Sequence, residues 1–230
     1  MYDIIMDVLL RIIIMAPGFL LAISCHESAH AWAAMKFGDD SAKRLGRITL
    51  NPIAHIDLIG TIVLPLMLVL GSGGTLMFGW AKPVPVNSGN FRSKWADFWV
   101  SFAGPISNMI LVVIFIFLLS VFWSFVPHDF YLFKPCLEVI ISCIGINIVL
   151  AVFNLIPIPP LDGSHMLARF LSDELKLKYM SLMRFGSLFF ILIIVINGQT
   201  NFLSKIISPI FTSCIYLSNI LSNFFKSVVL

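Results

Sequence analysis

The sequence predicts an all-α protein that crosses a membrane several times, with about five to six transmembrane helices. Of its 230 residues, 59% are hydrophobic and only 12% are charged, whereas soluble domains carry roughly 25% charged residues. The mean hydropathy is +0.97, and a soluble domain of this size would expose much of that apolar surface to water. The apolar residues also form runs that approach or exceed the roughly 20 residues that span a bilayer.

Five apolar runs are the candidate transmembrane helices. They cover Val8–Met35, Phe98–Val126, Leu137–Ile156, Leu182–Ile196 and Ile206–Phe225. No polar stretch between them approaches the roughly 50 residues of a separate soluble domain. We therefore expect residues 1–230 to form a single integral membrane domain.

A shorter apolar segment, Leu58–Leu70, lies between the first and second long runs. It is only about two-thirds of a span, and it leads into the flexible sequence Gly71–Gly74. Basic residues favour the cytoplasmic side of a membrane, and they precede and follow this segment: Lys36, Lys43, Arg44, Arg47, Lys82, Arg92 and Lys94. We therefore expect a re-entrant or extended hairpin that returns through Phe78–Val86, with a full crossing as the alternative.

The same charge rule orients the remaining spans. If both flanks of the hairpin lie on the cytoplasmic side, the basic stretch Arg169–Arg184 and Lys226 are expected on that side too. The N-terminus is then expected on the outer side of the membrane. The outer side then carries only three basic residues: Arg11, Lys134 and Lys205. The protein is expected to be a multi-pass membrane protein. The compactness of the chain favours a prokaryotic cell membrane as its location. The basic residues fit this orientation better than they fit nucleic-acid binding.

Residues 26–30 have the sequence His-Glu-Ser-Ala-His. Positions i and i+4 of a helix share a face, so His26 and His30 can bind one metal ion. Glu27 can then reach a metal-bound water and act as general base. Three ionisable side chains this close together are costly in a membrane segment. Their presence therefore indicates a functional site. His26 precedes Lys36 by about 15 Å along a helix, which predicts a site in the cytoplasmic half.

A catalytic zinc usually has three protein ligands and one open position. Asp162 is the candidate third ligand, because it follows the third long run and a segment that contains Pro157, Pro159 and Pro160. These prolines exclude a regular helix, and non-helical backbone at membrane depth is tolerated where it lines a wet cavity. The alternative is that Asp162 caps a helix that begins near Ser164.

These motifs resemble those of the site-2 protease family of intramembrane zinc metalloproteases, in its compact form without a PDZ domain. The resemblance combines His-Glu-x-x-His with Asn-x-x-Pro-x-Pro-x-Leu-Asp-Gly at 154–163. Further matching phrases lie at 46–55, 79–87 and 103–108. Together the matches cover most of residues 20–170, and the last 50 residues match only as hydrophobic spans.

The resemblance implies cleavage of a peptide bond in or next to the transmembrane segment of a single-pass membrane protein or peptide within the lipid bilayer. His26, His30 and Asp162 match the Zn²⁺ ligands, Glu27 the general base, and Asn154 a position that stabilises the oxyanion or holds the substrate strand. The catalytic core would cover about residues 8–170, with additional C-terminal spans at about 180–226. Neither the substrate-binding residues nor the oligomeric state follows from the resemblance.

Four further features have open interpretations. His165 is either a partner or exchangeable ligand near the metal or a polar residue at the membrane surface, and His55 matches the family without an assigned chemistry. Gly104, with Asn108 one turn later, would allow another helix to approach closely. Residues 82–86 form either an extended edge that pairs with a substrate strand or a plain loop.

The alternative function is a membrane zinc-binding or zinc-transport protein without hydrolytic activity. Such a protein would use His and Asp ligands in the same way. It would not need Glu27 as a base directly after the first ligand, so the sequence favours the enzyme.

Overall fold

The computed structural model describes residues 2–71 and 79–229, which within these ranges form nine α-helices and no strand. The helices are α1 (Tyr2–Lys36), α2 (Ser41–Arg44), α3 (Leu64–Gly71), α4 (Ala96–Phe125), α5 (Phe133–Asn154), α6 (Asp162–Ala168), α7 (Asp173–Met180), α8 (Gly186–Thr200) and α9 (Phe202–Val229). A π-helix covers Leu58–Val63, and 3₁₀-helices cover Pro52–Ala54, Ser88–Asn90 and Ser181–Phe185.

Four helices within the described ranges are long and apolar enough to cross a membrane: α1, α4, α5 and α9. The predicted all-α polytopic membrane fold is therefore confirmed, whereas the predicted number of five to six spans is not. The run Leu182–Ile196 contributes to α8, which has only 15 residues. Val113 and Ile114 on the outer face of α4 are 65% and 52% exposed, as expected for side chains that contact lipid.

The four long helices form one bundle with α4 at its centre. Val112 and Ile116 of α4 pack against Ile144 and Ile148 of α5, and side chains of α9 such as Phe211 cover this cluster. At the other end of α4, Val100 packs against the small residues of α1. The apolar core thus packs α4 against α1, α5 and α9, and α1 also contacts α5 at Gly18 and Cys143.

Helix α9 runs parallel to α4, which corrects one prediction. Ser124, near the C-terminal end of α4, lies with its Oγ 2.9 Å from the Oγ of Ser222 near the end of α9. The rings of Phe117 and Phe225 also lie 5.7 Å apart. Lys226 therefore lies at the opposite end of the bundle from the start of α4, and Lys205 lies towards the same end as that start. Both locations are the reverse of those predicted. The apolar contacts along α9 outweigh the preference of a single lysine.

The chain returns to the start of the segment Leu58–Gly71 after residues 72–78. The backbone N–H of Trp80 donates to the carbonyl of Gly60 at 3.0 Å, and Thr61 Oγ1 donates to the carbonyl of Trp80 at 2.8 Å. Gly60 is required here because a Cβ would overlap the indole of Trp80. These contacts agree with the predicted hairpin. Most of its predicted turn at Gly71–Gly74 lies outside the described residues, so the hairpin stays a prediction.

The orientation of α9 can be measured by cysteine labelling. In a background without the four native cysteines, we expect Ser227→Cys and Ser88→Cys to react with an impermeant thiol reagent from opposite sides of the membrane. The reason is that α4 starts near Ser88 and ends near the C-terminal end of α9. Ser41→Cys, just after the end of α1, is the control and should react from the same side of the membrane as Ser88→Cys. Labelling of Ser227→Cys and Ser88→Cys from one side would contradict the parallel packing.

Candidate active site

The two histidines of α1 lie one helical turn apart and meet the carboxylate of Asp162. Their Nε2 atoms are 3.0 Å apart. Asp162 Oδ2 lies 3.1 Å from Nε2 of His26 and 3.4 Å from Nε2 of His30. Both histidines are buried. The three predicted metal ligands therefore converge on one point inside the bundle.

Helix α4 determines which ring nitrogen of each histidine carries the proton. Nδ1 of His30 lies 2.7 Å from the carbonyl oxygen of Val100, which can only accept, so Nδ1 must donate. Nδ1 of His26 lies 2.7 Å from Oδ1 of Asn108 and donates to it. Both Nε2 atoms are thereby left with lone pairs that face each other.

The orientation of Asn108 depends on a third helix. Its Nδ2 donates to the carbonyl of Ala22 at 3.2 Å and to Oδ1 of Asn147 at 2.9 Å. Asn147 in α5 donates in turn to the carbonyl of Cys143 at 2.8 Å. Both asparagines are fully buried. These two amides therefore connect α1, α4 and α5 through hydrogen bonds and keep Oδ1 of Asn108 directed at His26.

The donor atoms fit a divalent metal ion. Two imidazole lone pairs and a carboxylate oxygen that has no hydrogen-bond partner surround one point, and such a set is unfavourable without a cation. Two histidines and one carboxylate are typical ligands of a catalytic zinc, with one position open for water. The protonated Nδ1 atoms on α4 acceptors are also typical of metal-binding histidines.

Asp162 does not act as a helix cap. It is the first residue of α6, the N-cap position is Leu161, and no side chain makes a capping hydrogen bond there. The proline-containing segment before it is non-helical, as predicted, and Tyr179 Oη donates to the carbonyl of Pro157 at 2.7 Å. This segment brings the carboxylate back to the histidines from the end of α5.

Gly104 is the point at which α4 touches the histidine pair. A Cβ on this residue would lie 2.7 Å from Nε2 of His26 and would also overlap Nε2 of His30. The predicted close approach at Gly104 is therefore confirmed. The approach brings Val100 and Asn108, on the same face of α4 one turn to either side, within hydrogen-bond distance of the two rings.

Glu27 lies in the same cavity as the histidines and contacts the extended segment after Trp80. Its Oε2 accepts a hydrogen bond from the backbone N–H of Val84 at 2.8 Å. The N–H of Lys82 donates to the carbonyl of His55 at 2.8 Å, and the Arg47 guanidinium donates to the carbonyl of Lys82 at 2.6 Å. No described residue pairs with this segment as a strand, so its role as an edge for substrate stays a prediction.

The far end of this extended segment is anchored by Asp39, just beyond α1. The Asp39 carboxylate accepts hydrogen bonds from the backbone N–H of Asn87, from the side chain of Asn90 and from Ser41. Burial alone would raise the pKa of Asp39, but these hydrogen bonds outweigh it and lower the pKa to about 2. Asp39 is therefore ionised at neutral pH and holds residues 87–90 beside the cavity.

The other predicted site residues divide into two groups. Asn154 and His165 line the cavity of about 320 Å³ that contains His26, Glu27, His30 and Asp162. His55 does not line it. This residue is fully buried and its Nε2 lies 2.8 Å from the carbonyl of Thr49, so it supports the loop beside α1.

Comparison with known proteins identifies the family. The profile of "Peptidase family M50" matches residues 14–141 and 134–195. The chain belongs to peptidase family M50. This assignment confirms the resemblance to the site-2 proteases and the predicted enzyme class, a metalloprotease.

Several curated proteins resemble this M50 peptidase. "Putative zinc metalloprotease YwhC" of Bacillus subtilis is 40% identical over 178 residues, which cover 76% of this chain and 77% of the relative. "Putative zinc metalloprotease Rip2" of Mycolicibacterium smegmatis is 31% identical over 70% of this chain and 59% of the relative. Rip2 of Mycobacterium tuberculosis is 28% identical over 66% of this chain and 54% of the relative. No solved structure matches the chain.

Sequence reasoning missed two groups that complete the site of this M50 peptidase. Asn147 carries no recognisable motif, although a buried amide in an apolar span is itself a signal of a polar contact. The carbonyl of Val100 is invisible in the sequence, because any residue supplies a carbonyl. The sequence predicts Asn108 only as a neighbour of Gly104, whereas in the structure it contacts His26 directly.

We expect Gly104→Ala to remove most bound metal, because the added methyl group occupies the space between the two Nε2 atoms. The measurement is the metal content of the purified protein in detergent. Gly145→Ala is the matched control, since its Cβ would meet Phe211 at an ordinary 3.6 Å. Full metal content in Gly104→Ala would show that α4 does not define the site.

Proposed function

We propose that this M50 peptidase is a zinc-dependent intramembrane endopeptidase, which hydrolyses a peptide bond in or next to the transmembrane segment of a membrane protein. Zn²⁺ is its cofactor. The observation that carries the proposal is the convergence of two imidazole lone pairs and a buried carboxylate oxygen beside Glu27, between helices that are long enough to span a membrane.

His26, His30 and Asp162 are the proposed zinc ligands. Bound there, Zn²⁺ supplies a Lewis acid that activates water and polarises a peptide carbonyl. The hydrogen bonds to Asn108 and Val100 hold the two neutral imidazoles in fixed orientations, with each Nε2 lone pair available to a metal ion. This arrangement avoids a rearrangement of the rings during the reaction.

Glu27 is the proposed general base. Its carboxylate takes a proton from the attacking water and passes a proton to the amide nitrogen that leaves. The hydrogen bond from Val84 N–H holds one carboxylate oxygen, so the side chain is oriented by the segment beside the cavity. Asn154 at the end of α5 has an amide group that can donate to the developing oxyanion.

The proposed substrate is a single-pass transmembrane protein or peptide in the lipid bilayer, and the proposed site of action is the cytoplasmic half of a prokaryotic cell membrane. The histidines lie in the last third of α1, and the basic residues concentrate at that end of the bundle. Of the 15 basic residues, only three lie towards the opposite end: Arg11, Lys134 and Lys226. This bias supports a cytoplasmic location.

The first test of the proposal is Glu27→Gln in proteoliposomes with a transmembrane substrate. We expect zinc content to be retained and the rate of cleavage to fall by about 10²- to 10⁴-fold, because the amide cannot accept the proton. Glu138→Gln, near the start of α5, is the control. Cleavage by Glu27→Gln at the parent rate would exclude Glu27 as the base.

The ligand assignment predicts about one zinc per chain. We expect His26→Ala or His30→Ala to abolish zinc binding and Asp162→Asn to weaken it strongly, because Asn lacks the charge that helps to neutralise the ion. Zinc affinity can be measured by competition with a chromogenic chelator. Asp129→Asn, in the turn after α4, serves as the control. If Asp162→Asn bound zinc with the affinity of the parent protein, Asp162 would not be a zinc ligand.

The substrate helix must unwind at the cleaved bond, because its carbonyls are otherwise held in hydrogen bonds. We therefore expect Gly, Pro or Asn near the cut site to raise the initial rate relative to a Leu-rich segment of equal length. Rates are compared in one lipid mixture so that insertion of the substrate is constant. Equal rates across this series would mean that unwinding does not limit cleavage.

A further inference from the structure

A second cavity adjoins the active-site cavity at the end of the bundle where α1 ends and α4 begins. It has a volume of about 540 Å³ and lies between residues 88–97 and the helices α6 and α7. Ser88, Phe91 and Asp97 line both cavities. The two spaces therefore share one wall, which is formed by the segment that leads into α4.

The second cavity has an excess of positive charge. Its ionisable lining residues are Arg92, Lys94, Arg169, Lys176, Asp97 and Asp173. Lys176 pairs with Asp97 at 3.6 Å. Within residues 2–71 and 79–229, no ion pair joins the other three cations to a carboxylate. Three unpaired cations thus face a single unpaired carboxylate, which favours an anionic ligand.

Arg169 is the cation of this cavity that is best positioned to bind a carboxylate. Its guanidinium carbon lies 4.6 Å from the ring centroid of Trp95. That indole in turn contacts the rings of Phe98 and Phe170 edge-on. The Nε atom of Arg169 is buried without a hydrogen-bond partner. A planar guanidinium fixed in this way is suited to bind a carboxylate through two hydrogen bonds.

We propose that this cavity is a specificity subsite that binds an acidic side chain of the substrate on the flank of the cleaved bond. The inference rests on the proposed proteolytic function. Arg169 follows α6 directly, seven residues after Asp162, which corresponds to about 10 Å along the helix. An extended chain advances about 3.3 Å per residue. The acidic residue is therefore expected about three to five residues from the cleaved bond.

A substrate carboxylate fits the cavity better than the headgroup of an anionic lipid. The cavity lies next to the space that contains Glu27 and Asp162, and Ser88, Phe91 and Asp97 line both. A peptide that leaves the active site along this wall would pass Asp97, whose Oδ1 accepts from Ser88 at 2.7 Å. It would then reach Arg169 and Lys94, which line the second cavity.

The experiment compares two transmembrane substrates that differ only in one flank, which carries either Asp residues or Asn residues three to five positions from the cut. Both are cleaved in phosphatidylcholine vesicles by the parent and by Arg169→Gln, Arg169→Lys and Lys94→Gln. We expect the parent to prefer the Asp flank by about tenfold in kcat/KM, as one charge-assisted hydrogen-bonded pair would give. Arg169→Gln should lose this preference and still cleave the Asn flank at the parent rate.

The controls separate this inference from the proposed function. Lys43→Gln removes an exposed cation at the same end of the bundle that lines neither cavity, and it should keep the preference. Arg169→Glu should prefer a Lys flank, which a merely structural role of Arg169 would not produce. Cleavage of both flanks at equal rates by the parent would overturn the subsite but not the protease. No cleavage of either flank would overturn the protease itself.

A lipid ligand would give a different pattern. Adding phosphatidylglycerol to the vesicles would then change the rate of the parent and not of Arg169→Gln, irrespective of the substrate flank. That result would also overturn the proposed subsite. A preference for the Asp flank that persists in Arg169→Gln and in Lys94→Gln would place the recognition elsewhere on the protein.

Discussion

The contact between α4 and the histidine pair of α1 is the constraint on which the rest of the site depends. Two imidazoles and a carboxylate buried in an apolar bundle are unfavourable unless each polar atom has a partner. Gly104 lets the backbone of α4 come close enough for Val100 and Asn108 to accept both Nδ1 protons. The lone pairs that remain face Asp162, so a metal ion bound there would complete a set of contacts that the helices have already arranged.

The predictable part of this protein is the part whose chemistry requires specific residue types. His26, Glu27 and His30 follow from helical periodicity and zinc chemistry, and the prolines before Asp162 predict the non-helical segment that carries the proposed third ligand. The supporting groups are less predictable. A carbonyl such as that of Val100 is not encoded by residue type, and Asn147 is recognisable only when the partner helix is known.

The fold likewise has features that the sequence predicts and features that depend on how the helices pack. Composition predicts membrane-spanning helices because lipid accommodates apolar surface that water does not. Charge bias, however, predicts the orientation of a span only where packing does not oppose it. In α9 the contacts of Phe211 and Phe225 with α5 and α4 place Lys226 at the unexpected end. The predicted run Leu182–Ile196 is divided between the 3₁₀-helix Ser181–Phe185 and the 15-residue α8, so a further span there stays a prediction.

Asp162 is the proposed third metal ligand, whereas Glu27 is proposed to stay off the metal. X-ray absorption at the zinc edge tests this assignment directly in a background without the native cysteines. The parent should show only nitrogen and oxygen neighbours, Asp162→Cys should add one sulfur at about 2.3 Å, and Glu27→Cys should add none. A zinc-loaded Asp162→Cys protein without a sulfur neighbour, or a sulfur neighbour in Glu27→Cys, would contradict the account.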